Sequence, residues 1–246
     1  MPGLGTIVNV VLVIIGSLMG LLLKKAIPER LRTSIVQALA LAVMTIGLTG
    51  IITACCTADE KGVLSSSYII LMVISMAVGT FIGELINIEK RLDNMGNFFQ
   101  KKFSSETSST FAEGFITASL VFCVGSMAIL GSLNDGILHD PTILITKSLL
   151  DMIMAMVFAS TLGIGVMFSI ITVAVYQGII TLCAAFVAPY LTDTIISQMS
   201  FIGSILIMGI GFNFLYEPKL RLANMLPSMF VPLVWYIVQG FTGGLF

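Results

Sequence analysis

Residues 142–188 read TILITKSLLDMIMAMVFASTLGIGVMFSIITVAVYQGIITLCAAFVA, and in these 47 residues only Lys147 and Asp151 carry charge. As one helix the stretch would run about 70 Å, more than twice the roughly 30 Å hydrocarbon core of a bilayer. It must therefore turn. Thr161-Leu162-Gly163-Ile164-Gly165 holds the glycines that permit a turn, so the stretch is two membrane crossings, about 142–161 and 165–188.

Working outward, six further apolar runs lie between charges and turn residues, at about 4–23, 33–56, 66–87, 112–133, 197–216 and 226–246. The whole 246-residue chain is 57% hydrophobic and 10% charged, where a soluble domain carries about 25% charged residues. So few charges cannot cover a water-soluble globule, which excludes a soluble enzyme and, with a net charge of −1, a nucleic-acid binder. Eight helices of about 20 residues consume about 160 positions and leave only short loops. The fold class is all-α, a polytopic transmembrane bundle of about eight spans forming a single integral membrane domain over residues 1–246. The first run has no positive segment before it and reads as a retained helix, not a cleaved signal.

Charge placement tests the count. Lys24, Lys25, Arg30, Arg32, Lys90, Arg91, Lys101, Lys102, Lys219 and Arg221 fall on one side of an eight-span arrangement, and only Lys61 and Lys147 fall toward the other. The positive-inside rule makes that side cytoplasmic and puts both termini outside. Seven spans would spoil the pattern. In the longest loop Ile88, Leu92, Met95, Phe99 and Phe103 recur at helical spacing, which predicts an amphipathic helix over about 88–103 lying in the interface. Two weak internal matches suggest a duplication. Gly79 through Met95 resembles Gly209 through Met225, and Gly5, Gly16 and Ser17 resemble Gly114, Gly125 and Ser126. The two registers are mutually exclusive as one simple repeat.

Lipid-facing helices need only be apolar, so polar and small residues carry the information. Gly5, Asn9, Gly16 and Gly20, then Ser75, Gly79 and Gly83, and then Gly165, Ser169, Thr172 and Tyr176 form small-residue stripes. Such stripes let helices approach and hydroxyls bond across them; Gly16, Gly20, Gly79 and Gly83 are assigned to packing. Asp151 lies about ten residues into its span, near the midplane, with Lys147 four residues earlier on the same face. An intramembrane carboxylate is costly unless paired or hydrated, and marks either an ion pair that fixes packing or an ion or substrate site. Gln177 is a third buried polar candidate. The segment from Gly125-Ser126 through Gly131 to Asn134-Asp135-Gly136 has the glycines of an unwound or broken helix lining a cavity, or of a frayed outer end. The expected ion or substrate path therefore takes in Asp151, Lys147, Gln177, Ser126, Gly131 and Asn9. His139 is the one histidine and Cys55, Cys56, Cys123 and Cys183 show no CxxC spacing, so no metal site and no cofactor are expected.

Several motifs together resemble a known family: Gly3-Leu-Gly-Thr-Ile-Val-Asn9, Gly79-Thr-Phe-Ile-Gly-Glu84, the segment Ser119 to Ser132, Lys147-Ser-Leu-Leu-Asp151 and Tyr176-Gln-Gly178. Over essentially its full length the chain resembles the YdfK/YqgA-like family of bacterial inner-membrane proteins, a domain of unknown function. The resemblance implies an integral membrane protein of the bacterial inner membrane and no particular activity.

Two functions fit these observations. One is a small transporter or channel for an ion or small solute, built around the Asp151–Lys147 pair. The other is a non-transporting membrane partner or regulator acting through helix–helix contacts. No HExxH, GxSxG or paired catalytic aspartates occur, so the chain is not expected to be an enzyme. The expected partners are the lipid bilayer and an ion or small solute, and a homo-oligomer is compatible with the sequence.

Overall fold

The structure is a computed structural model describing residues 3–24, 28–58, 64–66, 68–91, 94, 108–124, 126–216 and 220–242. Helix dominates: α1 (Leu4–Lys24), α2 (Glu29–Cys55), α3 (Ile69–Ile86), α4 (Ser108–Cys123), α5 (Ser126–Ile137), α6 (Thr142–Leu162), α7 (Gly165–Leu182), α8 (Ala184–Val187), α9 (Asp193–Leu215), α10 (Leu222–Met225) and α11 (Val231–Thr242). Between α2 and α3 a short antiparallel hairpin pairs β1 (Cys56–Ala58) with β2 (Leu64–Ser66). The prolines punctuate the helices. Pro28 precedes α2, Pro141 precedes α6, and Pro227 opens the 3-10 turn Leu226–Phe230 before α11, because proline lacks the N–H an interior position must donate.

Seven of these segments are long and apolar enough to cross a membrane, and the bent pair α4–α5, with 60° between its halves, makes up to eight. Helix direction decides the count. Gly5 of α1 lies on Leu144 of α6, Gly16 on Met152 and Gly20 on Met156, so α1 and α6 run parallel. Two transmembrane helices are parallel only when an odd number of crossings separates them. With α2 and α3 between them, α4–α5 must add one crossing. The described residues form an all-α bundle of seven to eight candidate crossings, and the parallel α1 and α6 fit eight.

The helices gather into two compact units, each discontinuous in sequence: Met1–Leu39 with Glu89–Val187, and Ala40–Ile88 with Ala188–Phe246. Gly209 through Met225 belongs to the second unit, its match Gly79 through Met95 crosses from the second unit into the first at Glu89, and both parts of the Gly5/Gly114 match belong to the first. In the first unit α4 also runs parallel to α7: Gly165 lies on Phe111, Gly114 on Leu162 and Val166, and Ser119 donates to Thr172 at 3.1 Å. In the second unit α2 and α9 are antiparallel, with Gly211 on Ala40 and Met44, and Gly47 and Gly50 on Ser204. There Gly79 and Gly83 of α3 meet Ser228 and Asn224, and Arg221 pairs with Glu84 at 3.5 Å in an exposed position. Outward faces remain apolar, with Leu22, Ile70, Phe81 and Leu85 all exposed. These faces contact lipid.

Several boundaries differ from the sequence expectation for physical reasons. The fourth span breaks at its middle, after Cys123, and is regular helix from Ser126 through Ile137, so the break expected in the stretch 125–136 comes at its start and not over its later glycines. The sixth ends at Leu182, and a turn at Cys183 leads into α8. The seventh starts at Asp193, not 197, because the Thr192 hydroxyl accepts from Ile195 N–H and Asp193 sits in the first turn, both favourable at a helix N-terminus. In the loop after α3, Ile88–Arg91 is helical; most of the expected interfacial helix 88–103 lies outside the described residues.

Candidate functional site in the first unit

The parallel approach of α1 and α6 places a small-residue face of α1 against the face of α6 that carries Lys147 and Asp151. Gly16 and Gly20 have no room for a Cβ, since the α6 backbone at Met152 and Met156 fills that space. Close contact there sets the height at which Asn9 reaches Asp151. The Asn9 Nδ2 group donates to Asp151 Oδ2 at 3.0 Å and to Gln177 Oε1 of α7 at 3.2 Å. Lys147 Nζ donates to the same Asp151 oxygen. Asn9 and Gln177 are fully buried, and Lys147 and Asp151 nearly so.

Charge explains why this cluster can exist. An ammonium and a carboxylate on one helix face, four residues apart, offset each other's desolvation, and the Asn9 amide adds a second donor to the carboxylate. Asp151 is the tenth residue of α6, about 14 Å along it, so the network lies well inside the hydrocarbon thickness. Hydrogen bonding is incomplete. Among the described residues, Asn9 Oδ1 and Gln177 Nε2 find no partner although both are buried. An acceptor and a donor thus remain beside the ion pair, and together these groups can bind a small polar or charged species in place of its water shell.

The sequence-derived candidates separate into two groups. Asn9, Lys147, Asp151 and Gln177 meet in one cluster. Gly131 belongs to packing, its Cβ position lying 2.9 Å from Leu144 Cδ2 and 3.1 Å from Ile143. Ser126 opens α5, and its side chain lies outside the described residues. The polar groups of the cluster come from α1, α6 and α7, which carry four of the six expected path residues.

Asp135 was missed as a site residue. It is fully buried in the last turn of α5, where Oδ2 accepts from Gly5 N–H at 3.0 Å, one of the N–H groups that the first turn of α1 cannot satisfy itself. Its position in Asn134-Asp135-Gly136 at a helix end gave the sequence signal of a solvated terminus. Nearby, exposed Asp140 accepts from the Thr142 N–H and hydroxyl at the start of α6, and these bonds hold its carboxyl below the usual carboxylate range.

Fold and site define a polytopic α-helical membrane protein with an ion pair and two amides buried among its spans. Residues 4–237 match the family described as "Protein of unknown function (DUF554)", and the chain belongs to that family. It is 33% identical over 238 residues to the uncharacterized membrane protein YdfK of Bacillus subtilis, covering 96% of this chain and 97% of that one. It is 28% identical over 230 residues to the uncharacterized protein YqgA of Escherichia coli, covering 92% and 93% respectively. No solved structure matches.

Proposed function

We propose that the protein is a small transporter or channel for an ion or small solute, whose site is the Asn9–Lys147–Asp151–Gln177 cluster, and that it is not an enzyme. One observation carries this reading. A buried ion pair meant only for packing would have its surrounding hydrogen bonds closed, but here an amide oxygen and an amide nitrogen beside it lack partners among the described residues. A permeating species needs such replaceable polar contacts at membrane depth. The residues that would line the path are on α1, α6 and α7.

The alternative, a partner protein acting through small-residue faces, has less support. Gly16, Gly20, Gly79 and Gly83 all lie against helices of their own unit, so these stripes are already occupied. We further propose location in the bacterial inner membrane with both termini outside, from the lysine and arginine bias. The test of transport is a flux screen of vesicles containing the full-length protein, using protons, sodium, potassium and small carboxylates. Movement of one of them above protein-free vesicles is expected. Movement of none would sink the transport reading and promote the partner reading.

A further inference from the structure

Asp135 presents a separate problem, one the central cluster leaves unsolved. Its carboxylate is fully buried, and among the described residues it makes one hydrogen bond, from Gly5 N–H to Oδ2. That bond explains one oxygen. Oδ1 has no partner, and the buried hydroxyls of Thr6 and Thr181, on residues at the same junction, also have none among the described residues. Thr6 follows the residue that Asp135 binds. Gly136, the residue after Asp135, lies directly on the Thr181 carbonyl, and a Cβ there would strike it. The start of α1, the end of α5 and the end of α7 therefore converge on Asp135.

Capping of α1 accounts for Oδ2 alone. Three unpartnered groups remain at the junction, all oxygens: the Asp135 carboxylate Oδ1 and the hydroxyls of Thr6 and Thr181, beside the C-terminal, negative end of α7. Lys147 is engaged by Asp151, and no ion pair reaches Asp135 among the described residues. An oxygen-only set around an uncompensated carboxylate selects a hard cation, and the ends of interrupted membrane helices are where sodium is held in transporters. We propose that Asp135, with Thr6 and Thr181, binds a dehydrated alkali-metal cation at the end of the first unit where α1 begins and α7 ends. Gly5 and Asn9 are one turn apart on α1, about 6 Å, so this cation would stand next to the central cluster. Binding here does not require that the protein transports anything, so the two readings can fail separately.

The test uses the purified full-length protein in detergent, in a sodium- and potassium-free buffer at fixed pH, with ionic strength held by choline chloride. Thermal midpoints are measured as sodium or potassium chloride replaces choline. The wild-type midpoint should rise by at least about 3 °C with one of the two ions. Asp135→Asn, which keeps an acceptor for Gly5, should lose the response, and Gly178→Ala, a position with open space, should keep it. Thr181→Val should raise the half-saturating concentration at least about fivefold, and it decides the matter if Asp135→Asn does not fold. The proposal is overturned if the wild type responds to neither ion beyond choline, if Asp135→Asn responds like the wild type, or if Thr181→Val leaves half-saturation unchanged.

Discussion

Replacing Lys147 by Met should be the most damaging single change in the buried cluster, and replacing Asp151 as well should reverse most of the damage. Lys147→Met leaves a carboxylate that is only 6% exposed and too short to reach water. Breaking a buried pair from one side costs about 3–5 kcal/mol, a fall in thermal midpoint of roughly 6–20 °C for a chain of this size. Asp151→Asn alone should cost less, because the flexible lysine can carry its ammonium toward the interface, and the new amide still accepts from Asn9. In the double variant no charge remains, and the Asn9 bond survives. It should be more stable than Lys147→Met by at least about 2 kcal/mol, a coupling within the range for contacting residues. The four proteins would be compared by thermal unfolding in one detergent at pH 7.5. Additive single effects, with the double variant worse than Lys147→Met, would refute the claim that the two charges offset each other.

Further outcomes follow from packing, capping and charge placement. Gly16→Ala should lower the thermal midpoint sharply because the Met152 backbone fills the space a Cβ needs, whereas Gly178→Ala, with nothing within 4 Å, should be neutral or stabilising; equal effects would contradict the packing. Asp140→Asn should be destabilising at neutral pH only. Its carboxyl is held below the ordinary value of 3.8 by Thr142, so its contribution is present above that pH and lost as pH falls through the lowered value. The midpoint difference from wild type should therefore close below about pH 4, and a difference that persists there would contradict the bond. Single cysteines placed at residues 105 and 61 of a cysteine-free variant should react with an impermeant reagent on intact cells only at 61; labelling at 105 alone would invert the orientation.

The crossings were legible because a membrane helix declares itself by length and lack of charge, and the break at Gly163 because a helix of 47 residues has nowhere to go. The mid-span break after Cys123 was legible only as glycine and small polar residues from Gly125 onward, since no proline or charge fixes its place. The hairpin between Cys56 and Ser66 was not legible, because its strands lack the β-branched and aromatic runs that signal pairing. Lys147, Asp151 and Gln177 stood out as polar groups in apolar runs. Asn9 entered the expected path as the polar member of a small-residue stripe, but its central place depends on the parallel packing of α1 on α6, which no local pattern encodes. Asp135 was hidden for the opposite reason. At a helix end beside glycine a carboxylate normally meets water, and only the long-range bond from Gly5 reveals that it does not.

Flux through the cluster is tested most directly by a single comparison in vesicles, wild type against Asp151→Asn, each confirmed as folded and equally incorporated. The solute would be whichever one the wild type carries. Loss of the carboxylate charge with the Asn9 contact retained should cut flux at least about tenfold, the effect of roughly 1.4 kcal/mol on a barrier. Undiminished flux through the Asp151→Asn protein would show that the path does not run through the Asn9–Lys147–Asp151–Gln177 cluster.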